Sequence, residues 1–435
     1  MNFSESVAYL YSLGNEVAAM KLGLENIRRL LDALENPHRK YRKVQVAGTN
    51  GKGSVCAFLD AICLKADIRT GLYTSPHLVS ITERIKFGGV EITEDEFARL
   101  AGRVRELSER LVASGEIEYR PTFFEQVTAI ALMSFAEADV EIAILETGLG
   151  GRLDATTAAD AEIAAITRID YDHQEYLGAT LEEIAAEKAA IIRPGSRVVV
   201  GKQEEPVMKA ILERCRDLGV VPLTVCEPLV SATDLSKHSA VVEFRTNRGT
   251  YWDSSLGMAG RHQIENACTA VLIAETLALD LGFPITDEDV WTGLEDARHP
   301  GRLEFIGNVL LDGAHNIGGA RALRDFLNEF ERRPITLVFG AMRGKGVGDI
   351  ASVLFPMAKN IVLTCPDNAR AITVEELAEM TAEHLENRDI ILEPRVKGAL
   401  GRAAKIAEYD GLILVTGSLY LVGEAKRILK SQFEI

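Results

Sequence analysis

The sequence predicts an α/β protein of two open-sheet domains, the first carrying a phosphate loop. Three observations lead there. A short apolar run around Val44 and Val46 stops at the glycine-rich loop Gly48-Thr-Asn-Gly-Lys-Gly-Ser54, and residues 54–64 then have helical length and apolar content. Apolar strands alternate with helical stretches through the rest of the chain, the rhythm of a parallel sheet. The 435 residues are enough for two separate cores.

Taken in order, residues 1–36 carry helical periodicity, clearest over 20–31, and read as a lid or packing helix ahead of the first strand. At the glycine-rich loop, backbone N–H groups and the helix N-terminus make an anion cradle, in which Lys52 neutralises phosphate charge and Ser54 reaches a magnesium ion. The spacing departs from GxxxxGK[ST]: Val46 stands where the first glycine would, and Gly53 separates Lys52 from Ser54. A generic glycine turn is therefore the competing account.

Residues 69–77 form a short strand running into a polar turn, 83–89 a small extended segment, and Thr93-Glu-Asp-Glu96 a capping-box helix start. Residues 122–135 read as a buried helix, 141–147 as the next strand and 148–154 as a second glycine-rich loop. A strand over 161–169 ends at Asp170-Tyr-Asp-His173, Thr180 to Glu183 cap a helix through Ile192, and 197–201 is another strand. From 220 to 257 the segments turn short and rich in Val, Thr and aromatics, which suits a small antiparallel extension. A long helix covers 262–281. The acidic stretch 282–300 reads as the boundary, dividing the chain into domains 1–295 and 296–435. Strands at 309–312, 335–340, 360–364, 389–392 and 412–416 build the second α/β domain. Ligands in such sheets sit beyond the carboxyl ends of the strands, where Asp312, Arg343, Lys345 and Ser418 fall.

Composition narrows the function. A net charge of −16 argues against general affinity for nucleic acid or anionic membrane, and no apolar run is long enough to span a bilayer. The N-terminal residues lack a signal-peptide pattern, which suits the cytoplasm. Six cysteines form no CxxC pair and read as reduced packing residues. With no GxSxG elbow, a Ser-His-Asp hydrolase is set aside.

Several residues could carry chemistry. Glu146 and His173, each placed just after a predicted strand, could complete a magnesium shell with Ser54; the competing accounts are an ion-pair Glu and a packing His. Lys188 lies among apolar neighbours. It either snorkels to water or pairs with Glu187, or it is a partly buried amine of depressed pKa that is reactive toward carbon dioxide. Arg302, Asp312 and His315 cluster in sequence, as a nucleotide contact set or as a surface ion pair. Arg343 and Lys345 read as solvated loop charges.

Taken together the motifs resemble a known family. Gly48-Thr-Asn-Gly-Lys-Gly-Ser54, Thr74-Ser-Pro-His-Leu78, Glu146-Thr-Gly-Leu-Gly-Gly-Arg-Leu-Asp-Ala-Thr156, Asp172-His173, Glu187-Lys-Ala189, Pro300-Gly-Arg-Leu-Glu304, Leu311-Asp-Gly-Ala-His-Asn316 and Gly417-Ser-Leu-Tyr420 occur in the order seen in folylpolyglutamate and dihydrofolate synthases of the Mur ligase superfamily. The resemblance implies a P-loop-type Mur ligase central domain followed by a Rossmann-like C-terminal domain. It also implies an ATP-dependent ligase, a monomer, that joins L-glutamate to a pterin-containing carboxylate through an acyl phosphate.

By the same resemblance Thr49, Asn50, Gly51, Lys52, Gly53 and Ser54 hold ATP, with Asn266, Arg302 and Asp312 as further nucleotide contacts. Ser54, Glu146 and His173 hold one Mg2+, and Lys188, as a carbamate, helps hold a second. Lys52, Lys188 and His315 take catalytic roles. Ser75, Pro76 and His77 wall the pterin site, and His315 with Ser418 lie near the incoming glutamate. The chain departs from the pattern at Thr157, where Asn is usual, and at His299, where Trp is common. The first departure bears on the loop facing the acceptor and the second on packing ahead of Arg302. A Mur-type ligase for another acceptor and a non-catalytic nucleotide-binding protein are the alternative functions.

Overall fold

Alternation along the central strands decides where each core sits. In strand β1 (Arg42–Ala47), Val44 and Val46 enter one core, shared with the helices Lys52–Lys65 and His262–Leu281. In β5 (Ile142–Glu146), Ile142 and Ile144 join that same core, whereas Ala143 and Leu145 face the opposite one, packed by the helices Glu94–Ala113 and Phe123–Glu137. Both faces are apolar because both are covered, as a parallel sheet requires. The computed structural model describes residues 1–14, 23–224, 226–234, 238–385 and 390–433.

The larger sheet has eight strands in the order β4-β3-β2-β5-β1-β6-β7-β8. The others are β2 (Thr70–Tyr73), β3 (Ile85–Phe87), β4 (Val90–Glu91), β6 (Ile163–Ile166), β7 (Arg197–Val200) and β8 (Pro222–Leu223). Only β3 and β4, at one edge, run antiparallel. The expected antiparallel extension is the sheet β11-β10-β9, formed by β9 (Cys226–Asp234), β10 (Ser239–Thr246) and β11 (Thr250–Ser255). Its Val242, Phe244 and Tyr251 pack into the core that holds Val44.

The second sheet follows the order β12-β13-β17-β14-β15-β16. It consists of β12 (Glu304–Ile306), β13 (Val309–Leu311), β14 (Ile335–Phe339), β15 (Asn360–Cys365), β16 (Ile390–Arg395) and β17 (Leu412–Thr416). All five strands read from the sequence are present and parallel; Asp389, expected to open one of them, lies outside the described residues. The hairpin partner β12 was not anticipated, since three residues are too short for alternation to register.

Two other expectations need correction, and the stretch read as the boundary contains regular structure. The N-terminal segment is two short helices, Phe3–Ser12 and Glu25–Ala33, with residues 15–22 outside the described set. Leu10, Ile27 and Leu30 are fully buried, so this segment packs on the first sheet's core. The helix capped by Thr180 ends at Ala189, short of Ile192. The acidic stretch taken as a boundary contains the helix Asp287–Asp296, closed by a Thr286–Asp289 capping box. Its acidic first turn is the charge that a helix N-terminus favours, and its buried apolar residues, Val290 and Leu294, share one face with Gly293. No helix among the described residues is long and apolar enough to cross a membrane.

Gly293 is the tightest point of that packing. A Cβ there would fall 2.5 Å from the Cα and 2.7 Å from the N of Ile62, both backbone atoms of the helix Lys52–Lys65. Gly293→Ala should therefore destabilise the protein by about 1–3 kcal/mol, although alanine is the better helix former. Urea unfolding of this variant beside Gly282→Asn, at an open C-cap, checks the contrast; equal midpoints would show that the two helices can separate without cost.

Candidate active site

The carboxyl ends of β1, β5 and β6 face those of β13, β14 and β17 across one cavity of about 700 Å³. The glycine-rich loop forms its floor. Gly48 and Gly51 have φ of +157° and +88°, and a Cβ on either would strike Thr167 Oγ1 at 1.9 Å or Asn266 Oδ1 at 2.2 Å. Thr49 and Asn50 donate their N–H groups to the Arg168 carbonyl (2.9 and 3.1 Å), while the Thr49 hydroxyl donates to the Asp170 carbonyl at 3.0 Å. Gly51 caps the helix Lys52–Lys65 without a side-chain acceptor, so the first-turn N–H groups have no side-chain cap. Lys52 Nζ reaches back to the Thr49 carbonyl at 3.4 Å. This is an anion cradle in its geometry.

Lys188 sits beneath the loop. Neither solvent nor Glu187 is its partner: the residue is buried, Nζ donates to the Gly48 carbonyl at 2.8 Å, and Glu187 pairs with Arg152. Burial, with the nearby Lys52 charge, lowers its pKa to about 7 against the pull of Asp172 and Asp154.

Glu146, the last residue of β5, is buried and accepts the Ser75 N–H at 3.0 Å. Burial raises its pKa despite Lys52, that N–H, Arg302 and Arg84. Its Oε2 and the Ser54 hydroxyl lie at the loop's first helical turn, since a Cβ on Gly53 would be 3.4 Å from that oxygen. His173 is displaced from the expected strand end: β6 stops at Ile166, and His173 adopts φ +53° as the N-cap of the short helix Gln174–Leu177. Among the described residues no cluster of three acidic, His or Cys side chains forms a ready metal cage.

The second sheet supplies the opposite wall. Asp312 is buried and accepts the N–H groups of Leu303 (3.0 Å) and Ala314 (2.9 Å); burial raises its pKa against the neighbouring Arg302. His315 Nδ1 lies 2.8 Å from the Gly313 carbonyl and Nε2 lies 3.7 Å from Asp172. Ser418 and Asn266 line the cavity, Asn266 donating to Gln263 at 2.8 Å. Ser75 and Pro76 line it too, across a cis peptide bond, but His77 does not. Its ring accepts from Arg84 Nε at 2.8 Å and meets Tyr11 OH at 3.2 Å, turned toward the N-terminal helix.

Several site residues escaped sequence reasoning or were misread by it. Lys345 is no solvated charge: Nζ bonds Asp172 Oδ1 at 2.6 Å with both side chains mostly buried, and touches His173 Nε2 at 3.2 Å. Arg343 is exposed, yet paired with Glu376. Asp172 also accepts from Asn316 at 3.3 Å, and Asn316 donates to Asn50 at 3.0 Å, so one carboxylate ties loops from both sheets together. Burial alone would raise Asp172, but His315 and the Lys345 and His173 charges outweigh it and hold it well below the usual carboxylate range. Asp154 organises the second glycine loop, accepting the N–H groups of Gly148 (2.8 Å) and Leu149 (2.9 Å). Thr157 is buried beneath that loop, between Gln45 and the Gly151 carbonyl, so this departure anchors the loop's base. His299 packs against Gly53 rather than merely preceding Arg302. Only a three-dimensional neighbour marks these residues; a charge next to a glycine reads as loop.

Burial lowers the His173 pKa to about 4, Asp172 opposes this, and Lys345 adds to it. Lys345→Met should therefore move the His173 titration upward, toward the ordinary value near 6.5. Ring-proton NMR across pH 3–8 checks this, and an unmoved midpoint would uncouple the two side chains.

The matches to known proteins agree with this architecture. Residues 46–274 match the Mur ligase middle domain, and residues 301–419 match the glutamate ligase domain of Mur ligases. The dihydrofolate synthase/folylpolyglutamate synthase of Bacillus subtilis is 33% identical, covering 94% of this chain and 96% of that one. A probable bifunctional folylpolyglutamate synthase/dihydropteroate synthase of Haloferax volcanii is 35% identical over 98% of this chain, which spans only 50% of that longer relative. The Mycobacterium tuberculosis folylpolyglutamate synthase complexed with ADP superposes with a TM-score of 0.91 at 30% identity, covering 98% of each chain. The chain belongs to the dihydrofolate synthase/folylpolyglutamate synthase family of Mur ligases.

Proposed function

We propose that this protein is an ATP-dependent ligase that joins the α-amine of L-glutamate to the carboxylate of dihydropteroate, of a reduced folate, or of both. The observation that carries the reading is the convergence of the cradle, Lys52, Glu146, Lys188, Arg302 and Asp312 on one cavity between two sheets. Family membership narrows the acceptor to the folate class, because the relatives named above are synthases of that class.

The chemistry asks for this arrangement. A carboxylate is a poor electrophile and must be phosphorylated before an amine can displace phosphate from it. Lys52 and the loop N–H groups bind the nucleotide phosphates, and Arg302 and Asp312 reach it from the second sheet, Asp312 as a buried acceptor for hydroxyl or amine donors. The acceptor lies along Ser75, Pro76 and the loop that Asp154 organises, and glutamate near His315 and Ser418. Walls from two sheets exclude water from the acyl phosphate. In this reading 1–295 and 296–435 act as two domains, and the enzyme works in the cytoplasm as a monomer.

The residues present fit Mg2+ in part. Ser54 and Glu146 offer hard oxygen donors beside the cradle, the set that magnesium favours. When bound, the ion would neutralise charge on the phosphates. His173 fits less directly, since its Nε2 faces Lys345 and that contact must open before the ring can ligate. Lys188, with a pKa near 7, is substantially unprotonated at neutral pH, which suits carbamylation and an oxygen-donor role at a second ion.

Phosphate release with MgATP and L-glutamate, measured with dihydropteroate and with tetrahydrofolate separately, tests the function. At least one acceptor should stimulate turnover; if neither does, the folate assignment fails. Lys188→Ala, which also removes the donor that holds the Gly48 carbonyl, should lose activity by about 100-fold while still melting as a folded protein. Full retained activity would remove the carbamate role.

A further inference from the structure

We propose that His299 is a direct phosphate ligand: its imidazole N–H hydrogen-bonds an oxygen of the phosphoryl group held in the glycine-rich loop. The inference rests on the ligase reading above and deepens it. Its starting point is Gly53, the residue that interrupts the usual Lys-Ser/Thr spacing. Gly53 lies within the helix Lys52–Lys65 and its φ is not positive, so the backbone does not require a glycine there. The space does. A Cβ would fall 2.8 Å from both Cε1 and Nε2 of His299, and 3.4 Å from Glu146 Oε2.

The imidazole therefore lies edge-on over the first turn of the cradle, beside the carboxylate that flanks it. His299 lines the same cavity, and among the described residues its ring makes no hydrogen bond; only its carbonyl accepts, from the Arg302 N–H at 3.3 Å. The cations Arg302, Lys86 and Lys426 all act on the ring, and the Glu146 carboxylate lies across Gly53 from it. An unpartnered N–H at the mouth of an anion cradle, in the field of three cations, is suited to a negatively charged oxygen. Packing alone would be served by a phenyl ring.

The test separates donor from filler. His299→Phe keeps the ring and removes the donor; His299→Gln replaces the ring with an amide whose N–H reaches the same distance from the backbone. Turnover with the acceptor that the unaltered protein uses should fall about 10- to 100-fold in His299→Phe. It should stay within about 5-fold in His299→Gln, with KM for glutamate unchanged in both. Equal losses in the two variants, or none in His299→Phe, would overturn the proposal. Should His299→Phe not fold, His299→Leu replaces it. Calorimetric binding of the non-hydrolysable analogue AMPPCP with magnesium gives a readout independent of turnover. About tenfold weaker binding in His299→Phe alone supports the ligand, and equal binding by all three proteins overturns it, even if no folate acceptor proves to be a substrate.

Discussion

The hydrogen bond from Lys188 to the Gly48 carbonyl joins residues 140 positions apart and anchors the glycine-rich loop from below. Everything above it depends on that loop's shape: Gly48 and Gly51 take backbone conformations that no side chain could share, with Thr167 and Asn266 filling the space where Cβ atoms would be. The N–H groups of the helix's first turn can face an anion because the loop carbonyls are turned away, toward Lys188, Thr167 and Lys52. A buried amine is costly unless something satisfies it. Here a carbonyl does so, and the same burial that fixes the loop brings the amine close to neutrality.

A second constraint holds the two sheets together. Asp172 gathers Lys345, His315 and Asn316 from the second sheet's loops, and Asn316 continues the chain of contacts to Asn50 in the cradle. Breaking one member would leave a mostly buried charge without its partner, which costs more than the pair itself contributes. Opening the cavity and rearranging this cluster are therefore one event. Gly318 makes the approach possible, since a Cβ there would meet Asp170 Oδ2 at 2.5 Å and Asn50 Nδ2 at 2.8 Å.

Much of this was legible in the sequence, because much of it is local. Strands buried on both faces read as apolar runs, caps at Thr93 and Thr180 announced their helices, and the glycine loop stood at a strand-to-helix turn. Of the residues singled out for chemistry, Lys52, Ser54, Glu146, Lys188, Arg302 and Asp312 line one cavity. What escaped was non-local. Lys345 looks like a loop charge until Asp172, 173 residues earlier, is placed beside it. His77 sits in a motif yet turns to Arg84, and residues 287–296 look like a polar linker because only one narrow face of that helix is apolar. The ring of His299 and the absence of a side chain at Gly53 are likewise two halves of one fact, separated by most of the chain.

The close seat of Gly293 on Ile62 sets the mechanics of the crossing between the sheets. That contact fastens the helix Asp287–Asp296 to the helix that begins in the phosphate loop, so the strap leaving it has only residues 297–300 before Gly301, at φ +74°, turns toward β12. Any pivot of the second sheet must then act over a lever arm of a few residues. His299 belongs to that strap and Arg302 lies just beyond the Gly301 turn, so a pivot at the turn would change the distance between the guanidinium and the imidazole.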